Sequence, residues 1–562
     1  MTAIAAQTRP LSPGSERQDS LALTYHRLML VMLVFAGVTT LIVGRLAWLQ
    51  VSTDRSDGGS ISNPLLPPRG DVVDRNGISL ARTIDAWSIA VHPRDVIGDP
   101  AALAVKLHEL MPERSVADYR RLLTADKNFI YLNRRAVPEL VAAVNALGEP
   151  AIVFDREPER LYPQTDLAAH ILGWTDYDGQ GVAGMERVLN ERLSDPGLRG
   201  DPVALSIDSR VQAAMESVLG AAVVKHSAEG GTRNVLGVHT GEVIAMASYP
   251  TFNPNAAGQS PPEAQYNRAT MGVYELGSTF KPITVAAAME AGVIKSMAQS
   301  YPTNAPIRIG RFSIKDDHPI PGSANIVETL VHSSNIATAQ IADQMGEARM
   351  KAAFRALGFH EPAHIELYEK GDTLFPSEWG RARVLTSGYG HGIAITPLHL
   401  ASAYAALVNG GIWRPATLLK SDKAPAGRRV YSEETSRMMR GLLRMIVLKG
   451  TGEKGGARGY RVGGKTGTAE KVTSGGGYSG RVNVSTFAAA FPMDDPRYVV
   501  VVMMDAPKGT ADTFGFTTAA WTAAPVVSKV ITRSGPLLGV IPSEQRDIDV
   551  SRLMALVGEA ED

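Results

Sequence analysis

Residues 28–44 read LMLVMLVFAGVTTLIVG, seventeen positions in a row with no charged side chain. Crossing the hydrocarbon core takes roughly 20 apolar residues, with a floor of about 17. Arg45 can reach the headgroups along its aliphatic stem, and residues 46–51 (LAWLQV) continue the apolar character, with Trp48 suited to the interface. A buried core helix is seldom this long. A cleaved leader has a shorter apolar segment followed by a small-residue cutting site, and none follows Gly44. Arg9, Arg17 and Arg27 precede the run. A positive flank stays inside, so residues 1–27 are expected as a cytoplasmic tail, residues 28–51 as a single-pass anchor, and the remainder outside.

The chain has no cysteine, which excludes disulfide scaffolds, thiolate metal sites and cysteine nucleophiles and suits an oxidising compartment. The 57 basic side chains balance 57 acidic ones, which argues against nucleic acid as a partner. With 44% apolar and 20% charged residues over 562 positions, the sequence is that of a multidomain globular protein.

After a polar, proline-bounded linker at 52–68, a mixed region at 69–199 carries a turn signal at Asp74-Arg75-Asn76-Gly77 and helical patterns over 101–111 and 137–147. A second region, 200–541, opens with β-like runs at 234–239 and 242–248 joined through Thr240-Gly241, and closes with another pair at 486–491 and 498–505. Helical patterns over 210–225, 279–291 and 398–408 lie between them. Strands at both ends with helices between predict an α+β fold with one sheet built from distant segments. Residues 542–562 are expected as a surface extension.

Three motifs carry chemistry. In Ser278-Thr279-Phe280-Lys281, a serine opening a helix over 279–291 sets Lys281 one turn away, with Cβ atoms roughly 5–6 Å apart. Helix N–H groups then face any oxyanion beside Ser278, and a neutral Lys281 can take the hydroxyl proton. Alone, the pair reads as a capping serine and a solvated lysine. Ser333-Ser334-Asn335 sets a hydroxyl for proton relay and an amide for a substrate peptide in one cleft; Ser323-Ala324-Asn325 is a competing match, discounted because Pro321-Gly322 marks a loop. In Lys465-Thr466-Gly467-Thr468, strand alternation divides lysine and glycine from the threonines. A cationic lysine and the hydroxyls suit a substrate carboxylate, and Gly467 suits close approach of a substrate backbone. An exposed sheet edge with a guarding lysine is the ordinary alternative.

The ordered set Ser-x-x-Lys, Ser-x-Asn, Lys-Thr-Gly is the signature of penicillin-binding proteins and related β-lactamases. The chain resembles a class B penicillin-binding protein of the FtsI septal type from the anchor to about residue 541. The block from Arg69 through Gly77 (RGDVVDRNG), Arg160, Tyr162-Pro163, Ala169-His170, Gly173 and GVAGME at 181–186 are similar to pedestal motifs of that family. These blocks read as turn chemistry and packing. The sequence YELGSTFK at 274–281, with Leu276 where many relatives have proline, SGYGHG at 387–392 before Thr396-Pro397, and GGKTGTAEK at 463–471 are similar to catalytic-domain blocks. His391 reads either as an acid–base group or as a packed side chain. No glycan-polymerising domain is expected before the pedestal.

The resemblance implies the serine β-lactamase/penicillin-binding transpeptidase fold, an antiparallel sheet with helices on both faces at 200–541, on a β-rich elongated pedestal at 69–199. It implies a peptidoglycan D,D-transpeptidase that cross-links stem peptides at the division septum and is acylated by β-lactams. By resemblance Ser278 is the nucleophile and Lys281 the acylation base. Ser333 and Lys465 shuttle the proton, Asn335 holds the peptide, and Thr466, Gly467 and Thr468 bind substrate or β-lactam, with backbone N–H groups of Ser278 and Thr468 as the oxyanion hole. No cofactor or metal is expected. The implied location is the bacterial inner membrane with a periplasmic catalytic domain, and the implied partners are a SEDS-family, FtsW-type glycan polymerase and other division proteins. An elongation-type transpeptidase, a β-lactam sensor or hydrolase, and a non-catalytic division scaffold are the alternatives.

Overall fold

The computed structural model describes residues 13–53, 68–310, 312–472 and 478–557. Helix α1 (Pro13–Thr53) contains the apolar run. Its stretch Tyr25–Arg45, 21 residues, is long and apolar enough to cross a membrane, and none of it is buried against protein. Thr39 and Thr40 return their hydroxyls to the carbonyls of Phe35 and Ala36 at 2.8 Å, so neither burdens an apolar surrounding with an unpaired donor. Residues 46–51 continue the helix, with their side chains, Trp48 included, outside the described residues. Arg9 and most of the expected linker also lie outside them.

Residues 66–562 form a second body. Its first part is built on β1 (Val72–Val73), β2 (Ser79–Val91), β3 (Ile130–Ala136), β4 (Ile152–Leu161) and β5 (Val203–Ala204). The long β2 pairs antiparallel with β1, β3 and β4, while β1 pairs parallel with β5. The turn at Asp74–Gly77 forms as expected, because the Asp74 carboxylate accepts from the N–H groups of Asn76 and Ile78 at 2.8 and 2.9 Å. Helices Pro100–Leu110 and Pro138–Asn145 occupy the predicted positions and share a small core of Ile89, Val91, Leu103, Leu107 and Leu132.

The second part is organised by β6 (Gly230–Gly237), β7 (Val243–Tyr249), β8 (Gly463–Val472), β9 (Tyr478–Phe491) and β10 (Tyr498–Asp505), in the antiparallel order β8-β9-β10-β6-β7. The sheet does join segments more than 200 residues apart. Strand β10 explains why: its VVVVMM run is apolar on both faces, as a strand covered on both sides must be. Val499, Val501 and Met503 enter one core, whereas Val500, Val502 and Met504 enter the other. Helices α2 (Ser209–Lys225), α3 (Lys281–Glu290), α4 (Ile326–Val331), α5 (Asn335–Ala356), α6 (Pro397–Val408), α7 (Glu433–Lys449) and α8 (Ala523–Ser534) complete the layers. Val211, Met215 and Val218 of α2 and Val527, Val530 and Ile531 of α8 form one face; α3 to α7 supply the other.

The C-terminal segment departs from its expectation. Residues 542–557 do not extend from the surface but return to α7: Leu553 is buried against Gly441, and Val550, Met554 and Val557 pack on the larger core. The Asn325 side chain donates to the Leu556 carbonyl at 2.7 Å, and Arg444 pairs with Asp547. Intervening charges such as Glu544, Arg546 and Asp549 mask this apolar face in the sequence.

Candidate active site

Ser278 lies in a 3-10 turn, Gly277–Phe280, and not at the head of an α-helix. The cause is Pro282. An α-helical bond to the Ser278 carbonyl would need the N–H of residue 282, which proline lacks, so the Lys281 N–H takes that carbonyl instead. Residues three apart eclipse in a 3-10 turn, which keeps Ser278 and Lys281 in line. At the far end of α3, Gly292 adopts φ +67°, as expected of a residue just past a helix. Leu276, in place of proline, is buried, and its carbonyl accepts from the Thr279 hydroxyl at 2.9 Å.

Lys281 has no exposed surface. Its Nζ donates to the Ser333 Oγ at 3.0 Å and to the Ser333 carbonyl. Burial disfavours the ammonium and pushes its pKa down from 10.5 to about 7, against the opposing pull of Asp316 and Asp317. Ser333 sits at φ +62°, between the end of α4 and the start of α5. A left-handed non-glycine residue costs on the order of 1–3 kcal/mol and persists only where its surroundings hold it.

Asp316 supplies that hold. Its carboxylate accepts from the Ser334 hydroxyl at 2.8 Å and from the N–H groups of Asn335 and Ile336 at 2.5 and 3.0 Å, capping α5 with a negative charge. Ser334 is fully buried and accepts from the Ala337 N–H, so the middle residue of the second motif works for the helix terminus. The Asn335 amide donates to the Lys315 carbonyl at 2.9 Å. The discounted match, residues 323–325, is a short strand and not a loop; Asn325 caps α4 in a reciprocal pair with Glu328.

The third motif lies on β8, at the sheet edge. Lys465 is fully buried there, which removes the guarding-lysine alternative. Burial, aided by the charge of Lys281, pushes its pKa well below the ordinary 10.5, with Asp317 opposing. Its Nζ donates to the Thr466 carbonyl at 3.1 Å and to the hydroxyls of Thr466 and Thr451 at 3.3 and 3.4 Å. The two threonine hydroxyls are themselves 2.8 Å apart. The Thr468 hydroxyl accepts from the Ala519 N–H at 3.0 Å, and it retains its own proton to donate.

Gly467 packs closely on another part of this chain. The space a side chain would take faces the nucleophile turn and not an open groove, since a Cβ there would fall 2.3 Å from the Leu276 carbonyl oxygen. Gly390, at φ +83°, meets the same turn from another side, where a Cβ would lie 2.2 Å from the Gly277 oxygen. The turn is thus clamped between β8 and the segment at 387–392. Next to that clamp Glu275 accepts from the Gly392 N–H at 2.9 Å. Burial lowers the His391 pKa, with Glu275 opposing and Lys281 adding to the shift.

Lys281 and Ser333 are in contact and the Lys281 charge reaches Lys465, with Ser278 one turn before Lys281. Asp316, Asp317 and Thr451, which also meet or act on these lysines and the second motif, carry no motif of their own. Comparison with known proteins shows the family. Residues 231–528 match the penicillin binding protein transpeptidase domain, and residues 64–194 match the penicillin-binding protein dimerisation domain. The probable peptidoglycan D,D-transpeptidase FtsI of Caulobacter vibrioides is 39% identical over 92% of this chain and 89% of its own length. The chain belongs to the class B penicillin-binding proteins of the FtsI type. The peptidoglycan D,D-transpeptidase FtsI of Escherichia coli is 32% identical over 83% of this chain and 85% of its own. Penicillin binding protein 3 of Mycobacterium tuberculosis, solved in complex with ampicillin, superposes with a TM-score of 0.68 at 25% identity, covering 85% of this chain and 97% of that one.

In this penicillin-binding protein the motifs around Arg69 and Glu186 meet. Glu186 is buried between Arg69 and Arg160, each with Nε at 2.7 Å from a different carboxylate oxygen. Asp74 reaches across to α2, accepting from the Ser209 N–H at 3.0 Å and hydroxyl at 2.8 Å. Burial raises the pKa of Asp74, but these bonds with those from Ile78 and Asn76 outweigh it and hold the carboxylate below its ordinary range.

Proposed function

We propose that this chain acts as a septal transpeptidase in which Ser278 is the nucleophile and the buried lysines manage its proton. The protein is a peptidoglycan D,D-transpeptidase of the serine acyl-enzyme type, a target of β-lactams, and a single-pass membrane protein with its catalytic part outside the cytoplasm. The observation that carries the residue assignment is Lys281, fully buried, 3.0 Å from the Ser333 hydroxyl and held near neutrality at about 7.

Ser278 Oγ attacks the carbonyl carbon between the terminal D-alanines of a donor stem peptide while Lys281 takes its proton. The C–N bond then breaks. Ser333 and Lys465 pass the proton to the leaving amine, and D-alanine departs. N–H groups of Ser278 and Thr468 stabilise the oxyanion; this is supported by the fit of β8 against the turn, where a Gly277 Cβ would lie 2.9 Å from the Thr468 oxygen. Asn335 orients the peptide, and the Thr466 and Thr468 hydroxyls hold the donor carboxylate. The amine of a neighbouring stem, diaminopimelate in our reading, attacks the ester, returns its proton through the same groups and leaves the cross-link. A β-lactam forms the same ester but leaves no exchangeable fragment.

Residues 69–199 act as a pedestal for a transpeptidase domain at 200–541, and residues 28–51 as the anchor that brings both to an FtsW-type glycan polymerase at the division septum. Confinement to the membrane raises the effective concentration of that pairing. The test is co-reconstitution with the polymerase and lipid-linked substrate, reading cross-linked stem dimers. The parent should make them and Ser278→Ala should make uncross-linked glycan. Cross-links made by the Ala variant would refute the assignment.

A further inference from the structure

A cavity of 430 Å³ opens between α2 and α8, on the outer helical layer formed by the two helices of the smaller core. Its walls are basic in an otherwise neutral protein. Lys225 of α2, Lys529 and Arg533 of α8 and Lys454 line it, with Asp512 as the acidic member. Asp512 pairs with Lys225 at 2.7 Å. Among the described residues, neither Lys529 nor Arg533 has an acidic partner. The charges of Lys225 and Lys529 both act on His226 in the same wall, lowering its pKa after burial, the larger cause, so the cations share one space.

The spacing of these charges points to an extended ligand. Lys529 and Arg533 are four residues apart on α8, about 6 Å along the axis on one face, so each can pair with a successive anionic group of a longer ligand. Between the cations the floor is apolar: Ala221, Val526 and Trp521, whose ring Lys454 covers. Phe514 and Phe516, exposed by 78% and 52%, flank Trp521 at ring distances of 5.5 and 5.6 Å and extend that floor outward. Exposed aromatics beside unpaired cations match a ligand that alternates acidic and apolar side chains.

We propose that the α2–α8 groove is a docking site for an acidic, amphipathic polypeptide segment of a partner protein on the outer side of the membrane. Its carboxylates would pair with Lys529 and Arg533 and compete with Asp512 for Lys225, and its apolar side chains would cover Trp521 and Ala221.

The test uses the full chain in detergent and a short fluorescein-labelled peptide rich in glutamate and leucine, read by anisotropy. Binding should weaken with added salt and fall at least about tenfold in the double variant Lys529→Glu/Arg533→Glu, a change of about 1.4 kcal/mol. The exposed site Ala221→Trp, which fills the floor, should also weaken it. Both variants should keep parental melting and penicillin labelling, since neither touches the catalytic centre. Parental affinity in the double variant, or equal binding of the glutamine analogue, would overturn the proposal. So would complete displacement by tripolyphosphate at matched charge, which would make the groove a simple anion site.

Discussion

The Nζ of Lys281 lies 3.0 Å from the Oγ of Ser333, and each residue is set in place by a neighbour outside the proton path. The lysine is set by a proline that denies the preceding turn an α-helical bond. The serine is set in a left-handed conformation by the carboxylate that caps the next helix. Proton transfer therefore depends on residues that never meet substrate.

Acylation by a β-lactam should follow the ionisation of Lys281. With its pKa near 7, the second-order labelling rate should fall about tenfold per pH unit below that value and level off above it. The stability effect has the matching sign. Between about pH 7 and 10.5 the unfolded lysine holds a proton that the folded one has released, so stability rises with pH across that window. Below it the buried ammonium carries its full penalty. A labelling rate independent of pH from 5 to 9 would remove Lys281 as the base.

Lys281→Arg keeps the charge but cannot supply a neutral nitrogen. Labelling should slow by at least about 10²-fold, read by stopped-flow or gel fluorescence with a labelled penicillin. Retained rates would transfer the role to Ser333 or Lys465.

Asp316 acts on position. Asp316→Ala removes the acceptor for the Ser334 hydroxyl and two α5 N–H groups and should cost about 1–3 kcal/mol of stability. Labelling should slow about tenfold or more as Ser333 relaxes from φ +62°. Asp316→Asn keeps one acceptor oxygen and should recover part of both effects. A slowed variant with unchanged melting would mean that Asp316 acts through its charge on Lys281 and not through the turn.

Glu186→Ala leaves Arg69 and Arg160 buried without their shared carboxylate and should cost roughly 3–5 kcal/mol in a denaturant melt. The folded fraction should still be labelled, because this cluster lies in the residues that match the dimerisation domain, outside the transpeptidase match. Loss of labelling with a normal melt would give the cluster a direct part in catalysis.

The parts legible in the sequence are those whose chemistry is local. Ser278 and Lys281 are three residues apart, the β10 run is apolar on both faces, and the Asp74–Gly77 turn is closed by its own side chains. What escaped depends on distance in the chain. Asp316 meets Ser334 across eighteen positions of loop and helix with no periodicity to link them. The buried state of Lys465 follows from the packing of β8 against the nucleophile turn, which a strand pattern cannot express. The approach of Gly467 to the nucleophile turn was hidden for the same reason: alternation gives the face of a strand but not what covers it. The docking of residues 542–557 was hidden by the charged residues interspersed among its apolar ones, such as Glu544, Arg546 and Asp549.

Everything proposed for the buried lysines depends on Ser278 forming the covalent bond. Mass spectrometry of the purified chain after exposure to penicillin, with the modified peptide sequenced, tests it most directly. One added penicilloyl mass is expected on the peptide containing Ser278, and none after Ser278→Ala, whose melting should match the parent because one half-buried hydroxyl is lost. An adduct on Ser333 or any other residue, or labelling that survives in the Ala variant, would contradict it.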